Sequence, residues 1–314
     1  MANQLIKIIN GTISLVGIFG AAGFYSGLQL FTVPVWAINP KLAYELNSWL
    51  VEGVWKVMHW FFEERSGAQI TFSGDTIEEG DSGLIIANHN SWVDFYLAQS
   101  IAKNVNMLGY VRYFAKASLK WIPFFGTGMY LAGFLMIKRN WVKDSRLIDS
   151  SVERIDKYKL PILIVNFIEG TRVDAQKLLE SQAFCKERGH TILQHILFPR
   201  TKGIMTCIEK FRNTHVKYLY DLTICYLNAK GELVPAPSIV KVHSQSIKDE
   251  YKFHIHVRKF LLKDLPESDP ELLKFLINLS VEKDMILSQF CKSKDHEHAP
   301  LPEHLRIELP NKSD

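Results

Sequence analysis

The chain has 314 residues, 47% of them hydrophobic, and a formal net charge of +4. That length holds one large domain or two small ones with a sizeable core, and so mild a basic balance suits an anionic membrane face or anionic ligands. Nucleic acid as a partner is excluded on this count, since no basic run of five or more and no aromatic RNA-binding signature is present.

The first feature along the chain is an uncharged stretch of 33 residues, from Ile8 to Pro40. About 20 apolar residues suffice to cross a bilayer. A signal peptide has a shorter apolar core, about 7–15 residues, and a small-residue cleavage site that is missing here. The segment is therefore read as a membrane attachment. Gly17, Gly20, Gly23 and Gly27 recur at spacings of three and four, which permits close helix–helix approach. Pro34 and Pro40 break the segment. Residues 41–65 mix Trp49, Trp55, Trp60 and Phe61 with Lys41, Glu45, Glu52 and Lys56. That pattern reads as an amphipathic interfacial helix, with a core helix of the following domain as its rival.

Beyond residue 66, strand and helix patterns alternate. Residues 68–73 and 83–89 read as strands, and 91–103 as a helix. Residues 106–113 return to strand, and 115–139 pass from a short helix through a Pro/Gly loop into a strand at 133–137. A polar amphipathic helix over 142–158 leads to the continuous apolar strand Leu160–Gly170. A helix over 174–188 is ended by Gly189. Residues 191–200, 216–228 and 251–260 read as strands, and 270–292 as a closing helix. The class is α/β with a mostly parallel sheet flanked by helices, preceded by an N-terminal membrane-attached helical segment. The expected divisions are residues 1–66 for that segment, 67–292 for the α/β domain and 293–314 for a loose polar tail.

The stretch Asn88-His89-Asn90-Ser91-Trp92-Val93-Asp94 follows a short apolar strand. Residues five apart on a helix do not share a face. His89 and Asp94 can therefore meet only if His89 precedes the helix and Asp94 lies in its first turn. One reading is structural: Ser91 and Asp94 form a capping box. The other is catalytic. A neutral imidazole takes a hydroxyl proton near pH 7, and a carboxylate on its other nitrogen fixes the tautomer. The two readings compete for the Asp94 carboxylate, and the sequence favours the imidazole, with Ser91 capping alone.

A second strand ends in Glu169-Gly170-Thr171-Arg172, and a third delivers Lys138 and Arg139. Gly170 allows a sharp turn or the close approach of a ligand, and Arg172 offers a planar fork for phosphate or carboxylate. Ligands of open α/β sheets bind outside the carboxyl ends of strands, where all three segments would lie.

Together, Asn88–Asp94, Gly133–Arg139, Phe167–Arg172 and Leu197–Gly203 resemble the four ordered motifs of the glycerolipid acyltransferase family, which includes the PlsC-type 1-acylglycerol-3-phosphate acyltransferases. The likeness covers about residues 80–205 and is strongest to the lysophospholipid and lysocardiolipin acyltransferase branch. It implies that His89 is the general base and Asp94 its partner. It implies that Arg139, Glu169, Gly170, Thr171 and Arg172 bind the glycerol-phosphate part of the acceptor, and that Pro199 shapes the acyl-donor side; Lys138, beside Arg139 at its strand end, is counted with the substrate-binding residues. It further implies a membrane-bound O-acyltransferase of phospholipid biosynthesis. The acyl group would pass from acyl-CoA or acyl-carrier protein to a lysophospholipid, foremost 1-acyl-sn-glycerol-3-phosphate. No cofactor and no metal enter, and the domain faces the cytosol (of the inner membrane, in a bacterium). Ile168 and Met136 depart from the family pattern and read as packing changes. The aromatics between Tyr110 and Phe134 would line an acyl groove or belong to the core. Alternatives are another acceptor, lysophosphatidylglycerol or lysocardiolipin, and a non-catalytic lipid-binding protein.

Four further signals carry less. Gly80-Asp81-Ser82-Gly83 has the look of a protease nucleophile but precedes a strand without a GxSxG turn. His254 and His256 lie on one strand face without a third metal ligand, so an exposed face is expected. Cys185, Cys207, Cys225 and Cys291 form no CxxC pair, which fits reduced, mostly buried thiols. The His296-Glu297-His298 run is expected to be a solvated tail.

Overall fold

A computed structural model describes residues 2–138, 141–291 and 303–305. The uncharged N-terminal stretch forms α1 (Ala2–Leu30) and α2 (Val33–Ile38), and α3 (Pro40–His59) follows. Pro34 and Pro40 sit in the first turns of α2 and α3, where a missing N–H costs nothing. Then come β1 (Ile70–Gly74), β2 (Gly83–Ala87), α4 (Asp94–Asn104), β3 (Val111–Lys116), α5 (Phe125–Leu131), β4 (Leu135–Ile137), α6 (Trp141–Tyr158) and β5 (Leu163–Phe167). The chain continues as α7 (Ala175–Arg188), α8 (Lys202–Phe211), β6 (Tyr218–Leu227), α9 (Ile239–Ser244), β7 (Lys252–Leu261) and α10 (Asp269–Ser288).

Among the described residues, seven strands form one sheet in the order β1-β7-β6-β2-β5-β3-β4. From β6 to β4 all neighbours are parallel, while β7 runs antiparallel to β6. Every residue of β2 is buried, because the sheet is covered on both faces. Ile85 and Ala87 point into a core shared with Val51 and Val54 of α3 and Leu97 of α4. Leu84 and Ile86 point the other way, toward Ile148 of α6, Ile208 of α8 and Leu276 of α10. The period-2 alternation of a strand thus feeds two cores.

The helix α3 packs as a core helix of the domain, the rival of the interfacial reading. Its Tyr44, Asn47, Val51 and Val54 are buried, and the wholly buried Arg112 of β3 ties it down through Ser48 Oγ at 2.7 Å. Of the four aromatics expected at an interface, Trp49 and Trp60 are exposed, whereas Trp55 and Phe61 are buried. Among the described residues α1 is the helix long and apolar enough to cross a membrane, over Gln4–Leu30. It packs along the domain: a Cβ at Gly17 would come within 2.7 Å of the Phe61 ring, and Ser26 Oγ donates to the Phe124 carbonyl at 2.6 Å.

Several expectations are corrected. Residues 191–200 are not a strand. Side chains take their backbone donors instead: Asp284 accepts from Gln194 and His195, Glu169 from Leu197 and Ser181 Oγ from Phe198. Sequence reading also missed α8 and α9. His254 and His256 are buried rather than exposed; their ring nitrogens meet the Thr71 and Ser73 hydroxyls of β1 at 2.8–3.0 Å. Burial pushes His254 down to about 4, so it is a neutral, satisfied core residue. Ser82 is buried, with its Oγ accepting the Ile162 N–H at 3.2 Å, and is no exposed nucleophile. In the tail, Leu305 is buried against Leu287 and Phe290, while His296–His298 lie outside the described residues. Cys185, Cys207 and Cys225 are buried, Cys291 is exposed, and none is disulfide-bonded.

Candidate active site

β2 stops at Ala87, and Asn88 replaces the next rung of the ladder with its side chain. Its amide donates to the Ile224 carbonyl at 3.0 Å and accepts the Ile224 N–H at 2.8 Å. The chain is thereby released from the sheet one residue before His89. In the loop that follows, His89 Nδ1 lies 2.8 Å from Asp94 Oδ2. An ionised carboxylate only accepts, so Nδ1 donates and Nε2 carries the free lone pair. The imidazole stacks on Phe167, with centroids 4.1 Å apart and planes 14° apart. Phe95 meets it edge-on. Packing and the carboxylate together fix the ring, and its side chain is only 13% exposed.

The capping box and the catalytic pair do not exclude each other. Asp94 Oδ2 accepts from the imidazole and also from the backbone N–H groups of Asn90 (2.6 Å) and Ser91 (2.8 Å). The reach back to the Ser91 N–H is the acid's half of a capping box. The Ser91 hydroxyl accepts weakly from Val93 N–H at 3.3 Å and donates to the Pro237 carbonyl at 2.8 Å. Ser91 therefore does not cap alone. Oδ1 of the wholly buried Asp94 accepts from Tyr226, a residue that sequence reasoning missed.

β5 is the neighbour of β2 in the sheet, so the Glu169–Arg172 turn meets the His89 loop directly. Gly170 takes a left-handed φ of 69°, a conformation that costs other residues strain. A side chain there would also press on Arg200 Cδ at 2.9 Å. The Val173 N–H donates to the His89 carbonyl at 2.8 Å. Glu169 is buried, with Oε1 accepting the His89 N–H at 2.7 Å and Oε2 the Leu197 N–H at 2.8 Å. Burial pushes its carboxyl up to about 8, against these two donors and with help from the Asp94 charge. Both oxygens are thus committed to backbone, and Glu169 holds three loops together rather than presenting itself to an acceptor. Arg172 is exposed, its guanidinium 4.9 Å from the Trp92 ring centre. Trp92 stacks on Phe95 at 5.5 Å, so the cation and the imidazole flank one aromatic wall.

The remaining expected site residues are dispersed. Lys138 is exposed at the end of β4, on the same sheet edge. That strand is three places from β2, about 14 Å at the usual strand spacing. Arg139 lies outside the described residues. Thr171 is half-buried in the turn, and Pro199 is buried beside Arg200, whose N–H donates to the Ile168 carbonyl at 2.6 Å. The aromatics between 110 and 134 divide: Tyr113 and Phe134 are core, while Trp121, Phe124 and Tyr130 are exposed. Ile168 is buried in the core. Among the described residues no group of three His, Cys, Asp or Glu side chains is placed to hold a metal ion.

Fold and site define an α/β enzyme domain with a histidine held by a buried carboxylate and an exposed guanidinium at the carboxyl edge of a parallel sheet. The family model described as Acyltransferase matches residues 69–226, and that of the Acyltransferase C-terminus matches 247–312. The chain belongs to this acyltransferase family. It is 32% identical over 243 residues to mouse 1-acyl-sn-glycerol-3-phosphate acyltransferase epsilon, covering 76% of the chain and 66% of that relative, just under two thirds. A probable 1-acyl-sn-glycerol-3-phosphate acyltransferase 5 of Arabidopsis thaliana is 28% identical, over 91% of the chain and 75% of that relative. The crystal structure of the Thermotoga maritima 1-acyl-sn-glycerophosphate acyltransferase PlsC superposes with a TM-score of 0.53 at 17% identity, over 92% of this chain and 95% of that one. The match extends the likeness of fold to nearly the whole chain.

Proposed function

We propose that the protein is a membrane-attached O-acyltransferase that acylates 1-acyl-sn-glycerol-3-phosphate to phosphatidic acid, with acyl-CoA or acyl-carrier protein as donor. The observation that carries this reading is the His89–Asp94 bond, which leaves Nε2 as an acceptor, with the exposed Arg172 on the far side of the Trp92–Phe95 stack. The names of the relatives support the acceptor class.

In this mechanism Nε2 of His89 takes the proton of the acceptor's free hydroxyl. The oxygen attacks the thioester carbonyl, a C–O bond forms, and the tetrahedral oxyanion collapses with cleavage of the C–S bond. The leaving thiolate receives the proton from the imidazolium, and His89 returns neutral. Asp94 supports the transient positive charge, as a buried carboxylate does in other base-assisted acyl transfers. Arg172 binds the acceptor phosphate, with Lys138 farther along the edge drawing the anionic lipid in. The apolar α1, together with the exposed Trp49, Trp60 and Trp121, attaches the domain to the membrane that holds substrate and product. Acyl thioesters are cytosolic, so the site faces the cytosol.

The test is thiol release by the purified full chain in lipid vesicles with acyl-CoA and a panel of acceptors: lysophosphatidic acid, lysophosphatidylglycerol, lysocardiolipin and glycerol 3-phosphate. Release that requires lysophosphatidic acid and disappears in His89→Ala supports the reading. Acceptor-independent release would make the protein a hydrolase, and acceptor binding without release a lipid-binding protein.

A further inference from the structure

The two oxygens of Asp94 are used unequally. Oδ2 gathers three donors: His89 Nδ1, the Asn90 N–H and the Ser91 N–H. Oδ1 accepts from the hydroxyl of Tyr226. Tyr226 is wholly buried and stands on β6, beyond the point where β2 ends, since the parallel register stops at Ala87 opposite Leu222. The overhang of β6 thus runs beneath the loop that carries His89, and Asn88 pins the two together at Ile224. The Phe253 ring packs edge-on against Tyr226, with centroids 5.7 Å apart. Burial, and then the Asp94 charge, hold the phenol well above its usual range, so it remains a donor at any working pH.

A carboxylate fixed at one oxygen can still pivot about it. The second anchor sets the plane, and only one orientation keeps Oδ2 in line with the imidazole N–H. We propose that Tyr226 is a positioning residue for acyl transfer, holding the Asp94 carboxylate in the plane that orients His89. The inference rests on the assignment of His89 as the base. In Tyr226→Phe the buried Oδ1 loses its donor, and the carboxylate turns toward the remaining N–H groups of the loop. The loss falls on the proton-transfer step and not on the affinity for either substrate.

The experiment uses the full chain in vesicles with lysophosphatidic acid and acyl-CoA. Tyr226→Phe is expected to lower kcat about 10- to 100-fold with both KM values within about twofold of wild type. The double variant Asp94→Ala/Tyr226→Phe is expected to be no slower than Asp94→Ala, because Tyr226 acts through Asp94. Tyr44→Phe is the control. Its buried hydroxyl likewise donates one hydrogen bond, to the Pro161 carbonyl at 2.8 Å, yet its loss should reduce Tm and leave kcat unchanged. A second readout needs no turnover: the downfield proton resonance of His89 Nδ1–H should move or broaden in Tyr226→Phe. If wild type gives no turnover while that resonance responds, the reading of the reaction fails and the positioning stands. An unmoved resonance, kcat within twofold of wild type, or losses that multiply in the double variant would overturn the proposal.

Discussion

The backbone N–H of His89 lies 2.7 Å from Oε1 of Glu169, whose other oxygen accepts the Leu197 N–H at 2.8 Å. One buried carboxyl thus joins three loops, and its charge state couples to stability. Burial, opposed by the two N–H donors, raises the folded value to about 8 from an ordinary 4.5. The folded state therefore holds a proton that the unfolded state has released, and stability declines as pH rises from about 4.5 to about 8. A protonated acid still accepts on both oxygens, but the amide of Gln accepts on one only. Glu169→Gln should lower Tm, by an amount on the order of 1–3 kcal/mol in stability at acid pH. The gap should narrow toward pH 8, as wild type loses stability and the variant does not. Parallel melting curves across that range measure it; a gap that widens with pH would contradict the account.

Removing the proposed base should separate chemistry from folding. His89→Ala should cost about 10²- to 10⁴-fold in kcat with only a small change in Tm, because its ring is held mainly by one hydrogen bond and one stacked face. Asp94→Asn should cost both. Its carboxylate accepts four donors, from His89, Asn90, Ser91 and Tyr226, and an amide nitrogen would face at least one of them. Single-turnover rates with calorimetry on the same samples check the split.

Arg172 is poised differently. It is exposed and stacked over Trp92, with nothing of the fold depending on its charge. Arg172→Ala should raise KM for the phosphate-bearing acceptor about tenfold or more, the value of one charge-assisted hydrogen bond, while leaving KM for the acyl donor and Tm unchanged. Arg172→Lys should recover only part of this, because the ammonium lacks the planar fork. An acceptor KM that stays level in Arg172→Ala would remove the residue from the acceptor site.

The sequence showed the site's loops more clearly than their supports. His89 and Asp94 could be placed because strand and helix periods put one before the helix and the other in its first turn. Glu169 and Arg172 could be placed because an apolar strand ends just before them. The support of Asp94 by Tyr226 spans 132 residues, and in an apolar strand no local pattern marks one tyrosine from its neighbours. Residues 191–200 have a strand's composition, but Asp284, Glu169 and Ser181 accept their N–H groups, and these acceptors lie elsewhere in the chain. The burial of His254 and His256 depends on β1 closing over that edge of the sheet, which alternation within β7 does not reveal. The helix α8 could have been read: Ile204, Cys207, Ile208 and Phe211 fall at helical spacing and are all buried.

The C-terminal helix should prove integral to the catalytic domain. Lys283 of α10 is 1% exposed and reaches Asp221 Oδ1 at 2.6 Å and the Leu222 carbonyl at 2.5 Å. Asp221 also pairs with Arg258 of β7. Burial alone would raise the Asp221 carboxyl, but Lys283 and Arg258 outweigh it and hold it below the usual range. It is therefore an ionised group inside the sheet–helix interface. Removing one member of such a set leaves a buried charge under-compensated, a loss of about 3–5 kcal/mol. Lys283→Met should accordingly destabilise the protein by about that amount, moderated by the remaining Arg258. The double variant Asp221→Leu/Lys283→Met should recover part of the loss, because apolar groups of similar volume can replace a buried pair at little cost. Leu222 lies opposite Ala87, two residues before His89, so the disturbance in Lys283→Met should also lower kcat. Denaturant unfolding of the two variants decides the point: a double variant less stable than Lys283→Met would show that the helix is held by the charge pair itself rather than by the apolar contacts of Leu272, Leu276 and Leu279 with the core.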